Sequence, residues 1–320
     1  MYPLLLQPAI KNYLWGGHRL QNELALLYGT TDDIIAEAWM LSCNPAGESV
    51  IRNGPLAGKT LAEGLSLGQE SGPIRFPILI KVIDAAKDLS IQVHPTDEYA
   101  SENESGTGKT EMWYVLDAQK DAHIYYGFSQ PISKDEMRQR IENHTIVDVL
   151  NRVPVKPGDV FLIQAGTIHF IGAGILIAEI QQNSDITYRV YDYDRRDAAG
   201  LARELHIEKA LAVTDTTYVP GPAMTPDVTQ MDGYRRTRLA ACAYFTVDLV
   251  DVDTSAELTC DHTSFVSLLF LMGSGRIIFA DRTYGDNGIL LVNTWDSLYL
   301  PAGTGSYRLE GSCRVLITTP

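Results

Sequence analysis

Three short segments carry residues that could do chemistry together. The first, LSIQVHP at 89–95, sets Ser90, Gln92 and His94 at alternate positions. On a strand, alternate side chains point to one face, so these three polar groups line one side and Leu89, Ile91 and Val93 the other. The second, KTEMWYV at 109–115, places Lys109 and Glu111 on one face in the same way. A carboxylate pointing into so apolar a strand needs a partner, because an unpaired buried charge is costly, and a metal ion is one such partner. The third, GDVFLIQAGTIH at 158–169, brings in His169 just after a glycine turn. The order Gln-x-His, then Glu after 16 intervening residues, then His after a further 57, suits ligands from three strands of one barrel. Two imidazole nitrogens, a carboxylate and an amide oxygen suit Zn²⁺, with Mn²⁺, Fe²⁺ and Co²⁺ also open. No cysteine takes part, which argues against a structural zinc knuckle. A site of this kind with an open coordination position is catalytic in type.

A fourth run, IAEIQQNSDITYRVYDYDRR at 177–196, has Glu179, Gln181 and Asn183 on one strand face and Arg189 between Tyr188 and Tyr191. Aromatic rings interleaved with arginine suit sugars and phosphates, with arginine as a bidentate anion clamp. Each segment alone also has a plainer reading as a solvated strand face or charged loop. The other histidines (His18, His123, His144, His206, His262) have no such company and read as surface or satisfied core residues.

The elements that must position these residues are mostly strands. Short runs rich in Val, Ile, Tyr and Phe alternate with Gly, Pro, Asn and Asp, as at 76–83, 110–116, 160–163, 175–181 and 264–271. Helices are expected over 20–28, over 133–150, where Ser133 and Glu136 form a capping-box pair, and more loosely over 197–214. An internal repeat aligns GDVFLIQAGTIH (158–169) with WDSLYLPAGTGS (295–306) at an offset of 137 residues. That is a domain-sized period, and its last position changes from His169 to Ser306, so the second copy lacks that ligand. The pattern predicts a mainly β chain of two sandwich or barrel domains with a few helical inserts. We place a first domain at 1–236, with a helical insert near 133–150 and a linker near 215–235 containing Pro220, Pro222 and Pro226. The second domain is placed at 237–320.

Composition narrows the function classes. The 320 residues carry 26 Lys+Arg against 40 Asp+Glu, a formal net charge of −14. This disfavours nucleic acid and anionic membrane as partners, and at first sight a phosphorylated substrate too. No apolar run approaches the ~18–20 residues of a membrane span. The N-terminal run is short, interrupted by Pro3 and Pro8 and has no basic region before it, so it does not read as a signal peptide. Four scattered cysteines with no CxxC fit reduced thiols in a cytoplasmic protein.

In this order the segments resemble the class I mannose-6-phosphate isomerases, in their short bacterial form. The matching stretches are YLWGGHRL, EAWMLSCNPAGES, LSIQVHP, GKTEMWYVLDA, GTIHFIGAGILIAEIQQNSDITYRVYDYDR and the LYLPAG turn. The resemblance implies a pair of cupin-type jelly rolls with metal in the first alone, and one zinc per chain. It implies that Gln92, His94, Glu111 and His169 are the zinc ligands and that Arg189 is an active-site residue. Lys109 and Glu179 then stand beside the metal, and Ser90 and Arg195 near the phosphate. Long members of the family have lysine where this chain has Arg195, and a larger helical domain than 133–150.

The reaction implied is the interconversion of mannose 6-phosphate and fructose 6-phosphate through a cis-enediol. Metal and Arg189 would stabilise the enediolate, and Ser90 with Arg195 would anchor the phosphosugar. The base stays open between Glu179, Lys109 and a metal-bound water. A non-catalytic sugar-phosphate-binding cupin and a metal-dependent cupin of other chemistry are the competing readings. The sequence leaves monomer and homodimer equally open.

Overall fold

A computed structural model describes residues 1–30, 33–66, 76–196, 200–218, 221, 224–225 and 227–320. Strands dominate and helices are few, as the sequence predicts. Among the described residues no helix is long and apolar enough to cross a membrane. The chain divides into two compact units, one of residues 10–38 and 81–224, the other of 1–9, 39–80 and 225–320. This grouping differs from a linear division at 236/237, because two early segments join the C-terminal one. The YRRTRLAA run at the expected boundary is itself a strand, Tyr234–Ala241, paired with Thr246–Val252. Pro220, Pro222 and Pro226 of the expected linker lie outside the described residues.

In the 10–38/81–224 unit, five strands form one sheet in the order Leu150–Pro154, His123–Phe128, His169–Ile171, Ile91–Val93 and Tyr188–Tyr191. A second sheet runs Val160–Ile163, Glu111–Ala118, Ile175–Gln182 and then Ile78–Ala85, which enters this unit at Lys81. Alternation along these strands sets the core. Trp113, Val115, Ile175, Ile177 and Ile83 pack with Ile124, Tyr126 and Ile171 of the first sheet in one apolar cluster. Behind the first sheet, Ile91, Val93, Tyr188 and Val190 pack against Met137 and Ile141 of the helical segment and Ala210 and Leu211 beyond it. The residues between these positions, Gln92 and Arg189, therefore face the other way.

Two of the three expected helices are shorter than the sequence predicts. Residues 133–150 hold an α-helix, Lys134–Glu142, and a 3-10 turn, Ile146–Val149. His144 separates them in a left-handed conformation (φ 57°), which no α-helix can continue through. Ser133 caps the helix by accepting the Glu136 N–H at 3.0 Å. Glu136 does not return the bond; its Oε1 accepts from Arg140 Nε at 2.9 Å. The expected 197–214 helix is reduced to Ile207–Val213, with Gly200 at φ 79° and an Arg196–Ala202 bridge upstream. Residues 197–199 of that expectation lie outside the described residues. The first helix runs Arg19–Tyr28.

The other unit is built on one large antiparallel sheet. Its long strands Val266–Phe279 and Gly305–Thr319 pair along most of their length, and Ser297–Leu300 and Leu4–Gln7 continue the sheet. Phe270, Phe279, Leu268, Leu298, Tyr307 and Val315 are among its buried core.

Candidate active site

Seven of the predicted residues, Ser90, Gln92, His94, Lys109, Glu111, His169 and Glu179, meet inside the first of these units. His94, Glu111 and His169 are all but inaccessible, and their ligand atoms lie within 4.8 Å of one another. Each is delivered by local necessity. Ile91 and Val93 anchor their strand by burial, and Pro95, which cannot donate to a ladder, ends it beside His94. Glu111 opens a strand whose inner face continues with Trp113 and Val115. His169 opens its own strand opposite Gln92, after a turn in which Gly166 adopts φ 87°.

The imidazoles are set to offer lone pairs inwards. His94 Nδ1 donates to the Ile186 carbonyl at 2.9 Å and His169 Nδ1 to the Thr167 carbonyl at 2.8 Å. A ring held in this way through Nδ1–H keeps Nε2 free to ligate. His94 Nε2 then stands 3.4 Å from Glu111 Oε2, and His169 Nε2 3.5 Å from Oε1. Burial, and next the charge of Lys109, lower the pKa of His94 to about 3. Burial likewise lowers that of His169, so both rings are neutral at pH 7. Burial alone would push the Glu111 carboxyl up, but the charge of Lys109 holds it well below the usual carboxylate range. A charged carboxylate between two neutral imidazoles is a donor set that fits a divalent transition metal.

Gln92 Nε2 lies 3.4 Å from His169 Nε2, and its Oε1 accepts from Ser90 Oγ at 3.3 Å. Turning the amide by half a rotation exchanges the two ends and aims Oε1 at the same point as the imidazoles. Lys109 Nζ is 2.9 Å from Glu111 Oε2 and 3.2 Å from His94 Nε2. Trp113 Nε1 donates to both Glu111 Oε1 (3.0 Å) and Glu179 Oε2 (3.1 Å), which ties Glu179 to the cluster.

Two members of the centre were not among the predicted residues. Lys81 is buried 3.2 Å from Glu179 and 3.6 Å from Glu37. Burial would lower its pKa; Glu37, Glu179 and Glu111 outweigh this and keep it protonated. Burial, and next the charge of Glu111, raise the pKa of Glu179 against the pull of Lys81 and Lys109. The signal for Lys81 lies in the run ILIKVIDA: a lysine alternating with Ile83 and Ala85 on the inner face of a fully buried strand whose other charge, Asp84, is on the opposite face.

The remaining predicted residues are placed differently. Arg189 is the register partner of Gln92, so the two share a face. Its Nη1 donates to the Glu204 carbonyl at 2.8 Å, while Nε is buried with no hydrogen-bond partner. Arg195 is bonded to none of these residues. It pairs with Asp192, donates to the Asp88 carbonyl and lies over the Tyr193 ring. With Arg203, which also pairs with Asp192, it lines a cavity of about 260 Å³.

Residues 4–126 match a family profile described as "Phosphomannose isomerase type I, catalytic domain", and residues 235–320 one described as "Mannose-6-phosphate isomerase, cupin domain". The chain is 40% identical to mannose-6-phosphate isomerase ManA of Bacillus subtilis (strain 168), over 99% of this chain and 98% of that one. It is 37% identical to mannose-6-phosphate isomerase of Streptococcus mutans, over 98% and 97% of the two chains. The crystal structure of the Bacillus subtilis mannose 6-phosphate isomerase superposes with a TM-score of 0.90 at 35% identity, covering 99% of each chain. A zinc-bound mannose 6-phosphate isomerase structure shares the fold at TM-score 0.73 and 17% identity, covering 100% of this chain and 99% of that one.

Proposed function

The chain belongs to the type I phosphomannose isomerases and interconverts mannose 6-phosphate and fructose 6-phosphate; we propose that it does so at the buried centre of the 10–38/81–224 unit, with one zinc ion held by Gln92, His94, Glu111 and His169. The observation that carries this placement is the set of three buried ligand atoms within 4.8 Å, on imidazoles tied through Nδ1 to backbone carbonyls. Two neutral imidazoles, a carboxylate and an amide suit zinc in a catalytic role, with a position left for substrate. Bound zinc supplies Lewis-acid polarisation of a substrate oxygen.

The protein groups do the rest. Isomerisation removes the proton on carbon 2 of the open-chain aldose, passes through a cis-enediol and returns a proton to carbon 1. Glu179 is the best-placed base. Its raised pKa favours taking a proton and giving it back, and Lys81 at 3.2 Å compensates its charge when it is ionised. Lys109 is already paired with Glu111, where it holds the ligand carboxylate charged. The guanidinium of Arg189, with Nε unpartnered, supplies positive charge to the enediolate oxygens. Ser90 and Arg195 anchor the phosphosugar; Arg195 and Arg203 both pair with Asp192, in a cavity that Glu142 and Asp194 also line. The overall charge of −14 does not exclude cations at the centre, where Lys81, Lys109 and Arg189 stand.

An assay that couples fructose 6-phosphate formation to a second enzyme tests this reading. Chelation should abolish turnover of mannose 6-phosphate and added Zn²⁺ should restore it. A zinc-loaded protein without turnover sinks the placement. Glu179→Gln should lose turnover while still binding zinc; if it retains full turnover, Glu179 is not the base.

A further inference from the structure

His206 stands at the start of the Ile207–Val213 helix, where Ser, Thr, Asp or Asn would normally accept a backbone N–H. Its side chain makes no such cap. It reaches instead to the strand Tyr188–Tyr191, where Nδ1 accepts the backbone N–H of Arg189 at 3.3 Å. The backbone returns the bond: His206 N–H donates to the Arg189 carbonyl at 2.8 Å. Two residues earlier, the Glu204 carbonyl accepts from Arg189 Nη1 at 2.8 Å, and Arg203 Nε donates to Asp192 Oδ2 at 2.8 Å. One short segment, 203–206, therefore grips both the main chain and the guanidinium of Arg189. A helix start that gives up its own cap to fasten a neighbouring strand breaks a local rule of stability, and such breaks cluster where function sets the geometry.

We infer that His206 is a positioning residue for Arg189: it fixes the strand that aims the guanidinium at the zinc centre. This rests on the role of Arg189 given above. Accepting through Nδ1 requires an unprotonated nitrogen there. Burial, followed by the charge of Arg189, lowers the pKa of His206 and keeps the ring neutral at pH 7. The ring is braced against Tyr188, with centroids 6.2 Å apart.

His206→Ser separates positioning from stability. Serine is a favoured N-cap but its oxygen falls short of the Arg189 N–H. The expected result is a melting temperature at or above the parent's and a kcat lowered roughly 10- to 100-fold, with KM within about threefold, the scale of effect of a misaimed catalytic group. His206→Leu, which neither caps nor accepts, should show the same kcat. The zinc-loaded double variants with Arg189→Ala complete the test. If His206 acts through Arg189, then replacing it should change kcat by less than about twofold in that background. Parent-like kcat in His206→Ser overturns the inference, as does an equal loss with and without Arg189. If Arg189→Ala itself turns over like the parent, the role of Arg189 fails first and the inference falls with it.

Discussion

The strand–turn–strand around His169 and its repeat around Ser306 are built alike and used differently. Val160–Ile163 corresponds to Ser297–Leu300 at the offset of 137 residues found in the sequence. Asp159 and Asp296 each accept the N–H three residues earlier, from Lys156 (2.9 Å) and Asn293 (2.8 Å). Thr167 and Thr304 each donate three residues back, to Gln164 and Pro301, both at 3.0 Å. Gly166 and Gly303 both adopt left-handed φ (87° and 80°), and each donates its N–H to one residue, His94 or Asp261. Register then assigns the counterparts. Gln92 pairs with His169 as Thr259 pairs with Ser306, and Glu111 pairs with Ile163 as Val266 pairs with Leu300. The positions of Gln92, His94, Glu111 and His169 are thus held by Thr259, Asp261, Val266 and Ser306.

The difference goes beyond four side chains. Ile91–Val93 is flanked on its far side by the strand bearing Arg189, whereas Ser255–Cys260 pairs, among the described residues, with Gly305–Thr319 alone. Thr259, Asp261 and Ser306 are accordingly exposed, while His94, Glu111 and His169 are buried. The turn supplies geometry for one ligand. Burial, which keeps the imidazoles neutral and the carboxylate strongly interacting, comes from the covering strand. A metal centre needs both.

The largest effect expected from this comparison is loss of a ligand. His169→Ala should lower zinc content from one per chain to near zero and turnover by at least ~10³-fold, since several kcal/mol of transition-state stabilisation go with the metal. Ser306→Ala should leave zinc content and turnover unchanged. Metal analysis and the coupled assay on both proteins decide it; a loss in the Ser306 variant breaks the asymmetry.

Next in size is the carboxylate position. Glu111 is tolerated at full burial because Lys109 and Trp113 bond it and a metal can. Val266 is 5% exposed in an apolar cluster, and the residue two before it is Ser264, not lysine. Val266→Glu should therefore cost about 3–5 kcal/mol, the scale of an uncompensated buried charge. Thermal melting would show it. A variant as stable as the parent would mean that the carboxylate finds a polar partner or escapes from this cluster.

These pairs also mark what was legible in the sequence. Alternation in LSIQVHP and KTEMWYV was enough to put Gln92 and His94 on one face and Lys109 and Glu111 on one face; which way each face points was not legible from it, because Ile91 and Val93 on the opposite face are buried too. The repeat was legible because its turns need glycine at φ near 80° and therefore keep their spelling. Lys81 is not signalled in the same way although the same alternation applies to it, because its face otherwise holds only Leu79, Ile83 and Ala85 and no second polar residue. The helix over 133–150 was overread since the left-handed turn at His144 has no sequence signature: histidine adopts that conformation there without glycine or asparagine. The backbone partners of Arg189 and Arg195 were not legible at all. The carbonyls of Glu204 and Asp88 carry no residue identity.

Smaller effects are expected at the two turn glycines. Alanine at either left-handed position costs about 1–2 kcal/mol. A Cβ on Gly303 would come within 2.5 Å of His262 Nδ1, the far end of an exposed side chain that can swing away. On Gly166 it would meet the Val213 carbonyl at 3.1 Å, a backbone atom that cannot. Both variants should melt at lower temperature, and Gly166→Ala alone should also weaken zinc affinity, because the displaced turn carries His169. Equal zinc affinity in a competition titration would mean that the turn does not aim the ligand.

The smallest effect contrasts two carboxylates, each between two arginines. Asp192 takes Arg203 and Arg195, and Asp251 takes Arg235 at 2.7 Å and Arg314 at 2.6 Å. Burial pushes both pKa values up, but the arginines outweigh it and hold both below the ordinary aspartate value. A group depressed in the folded state contributes stability that is fully present above its unfolded pKa of about 3.9 and is lost as pH falls through the folded value. Asp192→Asn and Asp251→Asn should therefore be less stable than the parent by a constant amount between pH 5 and 8, and this gap should close below about pH 3.9. The side chain of Asp192 is 5% exposed and that of Asp251 18%, so the loss should be larger at Asp192: about 2 against about 1 kcal/mol in urea unfolding. Metal ligands titrate alike in all three proteins and cancel in the difference. A gap that does not shrink between pH 5 and pH 2 would mean that the asparagines fail by packing, and the two arginine pairs would then contribute no charge-dependent stability.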